Sequence, residues 1–246
     1  MQTFYFTDPG KVRSHNEDNV TIINNDNKEF VLAIADGMGG HKAGEVASLI
    51  AIEYIKDSFY KLDTIGQKDD AIEWLRLIVK DINDKIFKYA KEHPESKGLG
   101  TTLVIAIKTN DYILYGNIGD SSGYVIKNNT LHKVTKDHTY VSMLMNNGKL
   151  TEESAKNHPG KNLLTRALGA NNPIEIDIFD IDTSVKGLFL CSDGLTNMLT
   201  EEQIEKILNS DLSIEEAVIK LIKKANSRGG TDNISIAYLK KDSIEL

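Results

Sequence analysis

Apolar and polar positions change period several times along the chain. An unbroken apolar run, Val31–Ala35, closes the stretch Phe30–Ala35 and stops at Asp36. Runs this short, bounded by glycine, read as strands with both faces buried. Thr3–Asp8 and Asn19–Asn24 read as the two strands before it. The period then becomes helical. Ala47, Ile50, Ala51, Tyr54 and Ile55 predict a helix over Glu45–Phe59. Trp74, Leu75, Ile78, Val79, Ile82, Ile86, Phe87 and Ala90 predict a longer one over Asp70–His93, stopped by Pro94. Strand patterns return in two hairpins. One joins Thr101–Lys108 to Tyr112–Ile118, and the other joins Gly123–Lys127 to Thr130–Val134 across Asn128-Asn129. Residues 138–172 are polar and irregular, with short helical pieces. Gly187–Ser192 is a second buried strand ending on Asp193-Gly194. Thr200 with Gln203, and Ser213 with Glu216, are capping boxes opening two helices, the second reaching about Ser227; Asn233–Leu239 is a last strand.

Helices and strands are segregated rather than alternating. That order predicts an α+β fold of antiparallel sheets with helices outside, not a doubly wound one. No Pro/Ser-rich linker interrupts it, and only four prolines occur, so residues 1–246 are expected to form one domain.

Composition narrows the function. A formal charge of −7 argues against a nucleic-acid or anionic-membrane surface, which needs clustered Lys/Arg. Lys220, Lys223 and Lys224 read as a solvated helix face. The single cysteine, Cys191, allows no internal disulfide and suits a reducing compartment. No run approaches a membrane span, and the first residues lack the basic start and apolar core of a signal peptide, so a cytoplasmic protein is expected.

An Asp-Gly after a buried strand offers a carboxylate and a carbonyl that can be approached closely. Both are hard oxygen ligands, suited to Mg²⁺ or Mn²⁺ rather than zinc. A single copy is more simply a turn. Four acids at strand edges beside glycine or small residues change the balance: Asp36, Asp120, Asp193 and Asp232. Gathered in one cleft they would repel unless cations neutralised them. Arg13, in "DPGKVRSHNED", can fork onto phosphate oxygens, and Glu17 and Asp18 close that stretch.

Taken in order, "RSHNED", "ADGMGGHKAGEVAS", "GLGTT", "GDSSGY", "KDH", "LTRALG", "CSDGLT" and "GGTDNIS" resemble the metal-dependent protein serine/threonine phosphatase family, type 2C or PPM, in its compact bacterial form. The resemblance spans about Thr7 to Leu239. It implies a four-layer α-β-β-α sandwich of two antiparallel sheets flanked by helices, with a Mn²⁺ or Mg²⁺ site at one end holding two ions and in bacterial members a third. Asp36 would bridge two ions, with the Gly37 carbonyl on one and Asp193 and Asp232 on the other. Asp120, with Asp193, would hold the third. Arg13 would bind the substrate phosphate, Glu17 and Asp18 would orient water, and 138–172 would form a flap. The implied activity is hydrolysis of phosphoserine and phosphothreonine by a metal-bridging water, opposing a bacterial serine/threonine kinase and dephosphorylating its targets. A monomer is the default expectation.

The chain departs from the family pattern twice. Met38 follows the Asp-Gly where animal members carry a histidine; His41 is a candidate acid nearby in sequence, with the acid otherwise unassigned. Ser122 stands where the family usually has arginine. The Cys-x5-Arg loop of cysteine phosphatases is absent, since Asn197 is six places after Cys191; "FDIDTS", with Asp180 and Asp182, is a decoy for the aspartyl-phosphate loop. Two alternatives to the protein phosphatase stay open: a phosphatase-fold regulatory module without activity, and a phosphatase for another phosphate ester.

Overall fold

The computed structural model describes residues 1–39, 43–96, 98–156 and 158–242. Eleven strands occur among them: β1 (Gln2–Asp8), β2 (Asp18–Asn24), β3 (Phe30–Met38), β4 (Gly100–Thr101), β5 (Leu103–Lys108), β6 (Ile113–Ile118), β7 (Ser122–Lys127), β8 (Thr130–Lys133), β9 (Asp177–Ile181), β10 (Gly187–Cys191) and β11 (Ile234–Lys240). The α-helices are α1 (Ala43–Phe59), α2 (Lys68–Glu92), α3 (Tyr140–Asn146), α4 (Glu152–Lys156), α5 (Asp193–Thr196), α6 (Glu201–Leu208) and α7 (Ile214–Ser227). A 3₁₀ turn covers Pro94–Ser96.

The strands form two antiparallel sheets, ordered β1-β11-β10-β7-β8 and β2-β3-β5-β6-β9, with β4 paired to the end of β3. Alternation within the buried runs explains the layering. On β3, Val31, Ala33 and Ala35 face α1 and α2, which contribute Ala47, Ile55, Leu75, Ile78 and Ile82. Phe30, Leu32 and Ile34 instead meet Leu188 and Leu190 of β10 and Ala237 and Leu239 of β11, between the sheets. Phe189 and Cys191, on the other face of β10, pack under α6 and α7 with Leu195, Ile204 and Leu221. Both faces of each central strand are covered, which is why the runs are unbroken rather than alternating. The expected α-β-β-α sandwich is the one observed.

Local signals account for most boundaries. Asn128 and Asn129 take φ of 52° and 63°, the left-handed pair of a two-residue hairpin turn. Capping boxes open α6 and α7 at Thr200 and Ser213 as read from sequence.

Four expectations need correction. The strand Thr101–Lys108 is interrupted at Thr102, which is diverted to hold Asp36. β3 does not end before Asp36: it runs on to Met38, and Asp36 lies opposite Asp18 in the ladder. α5, a single turn starting at Asp193, and β9 were not expected. β9 is an edge strand of mixed burial, too weakly patterned to read. The decoy acids lie in it and just past its end: Asp180 pairs with Lys68 at 2.6 Å, and Asp182 accepts from the Ser184 amide at 2.8 Å.

Candidate active site

Pairing alone brings the acids to one end of the sandwich. Asp18 opens β2 opposite Asp36. In the other sheet, Cys191 at the end of β10 pairs with Ser122 and Ile236 at the starts of β7 and β11. Asp193 and Asp120 each sit two residues beyond the Cys191–Ser122 pair, and Asp232 sits two residues before β11 begins. Arg13, Glu17, Asp36, Gly37, Asp120, Asp193 and Asp232 line a single cleft of about 490 Å³. Asp18 lies behind it, buried. His41 lies outside the described residues.

Asp36 is held through its backbone and Asp193 through its side chain. The Asp36 amide donates to Thr102 Oγ1 at 3.0 Å, and its carbonyl accepts from the Thr102 amide and from Thr101 Oγ1, both at 2.9 Å. The two Asp-Gly glycines are required by close approach. A Cβ on Gly37 would stand 2.2 Å from the Gly44 carbonyl oxygen, and one on Gly194 would stand 2.0 Å from that of Asn233. Asn197 Nδ2 donates to Asp193 Oδ2 at 3.0 Å.

Arg13 arrives on the loop between β1 and β2, which Asn233 clasps. Asn233 Nδ2 donates to the carbonyls of Pro9 and His15 at 3.0 and 2.9 Å, and its Oδ1 accepts from the Glu17 amide at 2.8 Å. Arg13 NH2 then donates to Asp232 Oδ2 at 2.9 Å. Ser192 Oγ donates to Asp18 Oδ2 at 2.8 Å. Thr102, Ser192 and Asn233 were not singled out from sequence. Their only signal is adjacency to the acids and to the Gly-Thr-Thr step.

The acids are an electrostatic problem. Burial, then the charges of Asp18, Asp193, Asp120 and Asp232, push Asp36 well above the ordinary carboxylate value. Burial pushes Asp18 up to about 7 despite hydrogen bonds from Ser192 and Ser235, with the charges of Asp193 and Asp232 adding to the rise. Burial and the charge of Asp193 raise Asp120 to about 7 as well. Asp193 rises to about 6 through burial and the charge of Asp232. The carboxyl oxygens Glu17 Oε1 and Asp18 Oδ1 are buried with no hydrogen-bond partner among the described residues.

A second part of the cleft's wall comes from residues 162–167, 170 and 171 of the irregular segment, including Arg166. Ser122, at the departure from the family pattern, is buried in β7 opposite Cys191.

Comparison with known proteins decides the family. The family model described as protein phosphatase 2C matches residues 11–228. The chain belongs to the protein phosphatase 2C family. It is similar to the serine/threonine phosphatase stp of Listeria welshimeri, 40% identical over 100% of this chain and 98% of that one. It is 34% identical to the protein phosphatase PhpP of Streptococcus pneumoniae, covering 97% of each. Among solved structures, the serine/threonine phosphatase Stp1 of Staphylococcus aureus superposes with a TM-score of 0.91 at 34% identity, over 98% of this chain and 95% of that one.

Membership in this family implies dependence on a metal, and the donor set fits one. Mutually repelling carboxylates, unpartnered buried carboxyl oxygens and a closely approachable carbonyl are what hard divalent cations satisfy. Among the described residues no three acid, histidine or cysteine side chains close into a finished ligand shell. A cation that keeps most of its waters and takes one or two carboxylates does not need one.

Proposed function

We propose that this protein phosphatase 2C member hydrolyses phosphoserine and phosphothreonine in proteins, with Arg13, Asp36, Asp193 and Asp232 as its working residues. The observation that carries the reading is the joining, in one cleft, of four strand-edge acids with an arginine suited to phosphate. Asp36, the Gly37 carbonyl, Asp193 and Asp232 would hold two Mn²⁺ or Mg²⁺ ions, and Asp120 with Asp193 a third. Bound there, divalent ions lower the pKa of a coordinated water and balance charge on the phosphoryl oxygens. Arg13 orients the phosphate by forked donation, and Asp232 keeps its guanidinium extended toward the acids. Glu17 and Asp18, next to the ligand acids, orient water. The leaving alkoxide takes its proton from water in this reading; His41 is not needed. Residues 138–172 act as a flap over the cleft, within a single domain.

Family membership supports phosphoproteins as substrates, and a serine/threonine kinase and its targets as the set this enzyme resets in signalling. Among the described residues no helix is long and apolar enough to cross a membrane, in keeping with action in the cytoplasm. The retained acids and Arg13 set the non-catalytic module aside.

The test is phosphate release from a phosphothreonine peptide by the purified protein with Mn²⁺, with chelator, and with Asp36→Asn. Metal-dependent turnover lost in the variant supports the assignment. Absence of turnover with either Mn²⁺ or Mg²⁺ overturns it. Comparison with a small phosphate ester decides between protein and other esters.

A further inference from the structure

The second arginine of the cleft is anchored by a hydrogen-bonded chain that the reaction above does not use. His138 is 9% exposed and sits behind the turn that carries Asp120. Its Nδ1 accepts from the Gly119 amide at 3.1 Å, which fixes the neutral tautomer with hydrogen on Nε2. Burial lowers the His138 pKa, in keeping with that neutral ring. Nε2 then donates to Asp177 Oδ2 at 3.2 Å. The other carboxyl oxygen, Oδ1, accepts from Arg166 NH1 at 2.5 Å, and the same NH1 donates to the Glu175 carbonyl at 3.3 Å. The chain is built on rigid parts. Asp177 pairs with Asn117 across β9 and β6, and Asn117 Nδ2 donates to the carbonyls of Gly119 and Lys136. The backbone of His138 closes on Gly119 at 2.9 Å, and its carbonyl receives the Thr165 amide at 2.8 Å, one residue before Arg166.

Among the described residues Arg13 and Arg166 are the cations lining the cleft, one from the loop between β1 and β2 and the other from the 162–171 segment. Arg13 lies against Asp232, among the acids that would hold the metal ions and next to where the phosphate would sit. Arg166 comes from the 162–171 wall, and Asp177 balances its charge. With NH1 committed, its other guanidinium N–H groups take no protein acceptor among the described residues, while the side chain keeps 31% of its exposure. A charge-balanced guanidinium on the wall offers directed donors rather than net attraction. Those donors suit carbonyl oxygens of a chain passing through the cleft more than the phosphate dianion, which falls to Arg13 and the metal ions. We propose that Arg166 is a binding residue for the peptide flanking the phosphorylated side chain, and that His138 and Asp177 are positioning residues that fix it and the Asp120 turn together. This inference rests on the phosphatase reading.

The test is a split of KM between two substrates with Mn²⁺ present: a phosphothreonine peptide and p-nitrophenyl phosphate, which has no flanking chain. Arg166→Ala is expected to raise the peptide KM by roughly tenfold, the scale of a lost charge-assisted hydrogen bond, and to raise it at least about fivefold more than the KM for p-nitrophenyl phosphate. Arg166→Lys recovers only part, because it lacks the planar fork. Asp177→Asn shifts the peptide KM the same way by less. His138→Gln, which keeps a donor for Asp177, harms peptide binding less than His138→Asn, which lacks one at that position. A purely structural pair would move both substrates equally and in step with the melting temperature. That outcome, or an unchanged peptide KM in Arg166→Lys and Arg166→Ala alike, overturns the proposal. A wild type that turns over both substrates with such uniform changes overturns this inference alone. A wild type inert to both overturns the phosphatase reading and this inference with it.

Discussion

The two walls of the cleft are built on opposite principles. The acid wall is made from the ends of buried strands, where Asp36 is locked by ladder pairing, Asp120 and Asp193 follow paired strand ends, and Gly37 and Gly194 leave no room for a Cβ. The other wall belongs to residues 138–172, where α3 and α4 are short and Tyr140, Met143 and Leu163 remain exposed. The first spends stability to hold like charges together. The second gives up burial and keeps a surface that can fit a substrate. Chemistry that needs charges fixed to a few tenths of an ångström belongs on the first, and selection among substrates on the second.

The strongest way to break this contrast is at the floor. Asp36→Asn should cut turnover by on the order of 10²–10³-fold, the scale of removing one fixed electrostatic group from an active site. In metal-free protein the same variant should raise the melting temperature, because it removes a buried like charge. Retained turnover would remove Asp36 from the mechanism, and a lowered melting temperature would show that its carboxylate is balanced by the protein alone. Next come two glycines. Gly194→Ala drives a Cβ to 2.0 Å from the Asn233 carbonyl oxygen, whereas Gly148→Ala, at φ +67°, meets no atom within 4 Å. Overpacking should cost about 3 kcal/mol in the first case, and backbone strain about 1 kcal/mol in the second. Thermal melts should separate them as about 6–12 °C against about 2–4 °C. Equal losses would mean that the segment is as tightly specified as the floor.

The same contrast decides what could be read from sequence. The floor was legible because its physics is local. A buried strand needs an apolar run, a carbonyl open to close approach needs glycine, and each acid follows such a step. Asp36, Gly37, Asp120, Asp193 and Asp232 are therefore legible in the sequence. What failed was local geometry: Asp36 was expected beyond its strand, yet it lies within the ladder because Thr101 and Thr102 complete its hydrogen bonds. The supports were not legible, since Asn233, Ser192 and Thr102 act across 66 to 216 residues of sequence. β9 escaped because a half-buried edge strand lacks a sustained alternation, and with it went the Asp177–His138–Arg166 chain.

Proton linkage tests the floor without substrate. Aspartates in the unfolded chain titrate near 3.9, whereas Asp193 is pushed up to about 6 and Asp18 and Asp120 to about 7. Between those values the folded state holds protons that the unfolded state has released. The stabilisation is therefore full below the unfolded value and is lost as pH rises through 6 to 7. Metal-free protein should melt at a lower temperature at about pH 8 than at about pH 5.5. Mn²⁺ should flatten the slope by taking the place of the protons. A level metal-free profile would mean that these carboxyls are ionised and hydrated.

The smallest expected effect lies on the other wall. Leu163 is 61% exposed, so Leu163→Ser removes little buried area and should change stability by less than about 0.5 kcal/mol. In a melt of a chain this size that is about 2 °C or less. The residue also lines the cleft, beside Arg166. If this wall serves substrates, the variant should lower kcat/KM for a phosphopeptide carrying an apolar neighbour more than for one carrying an acidic neighbour, with the fold left as stable as before. A melting loss of several degrees would instead place Leu163 in a packed core and erase the difference between the two walls from which the argument began.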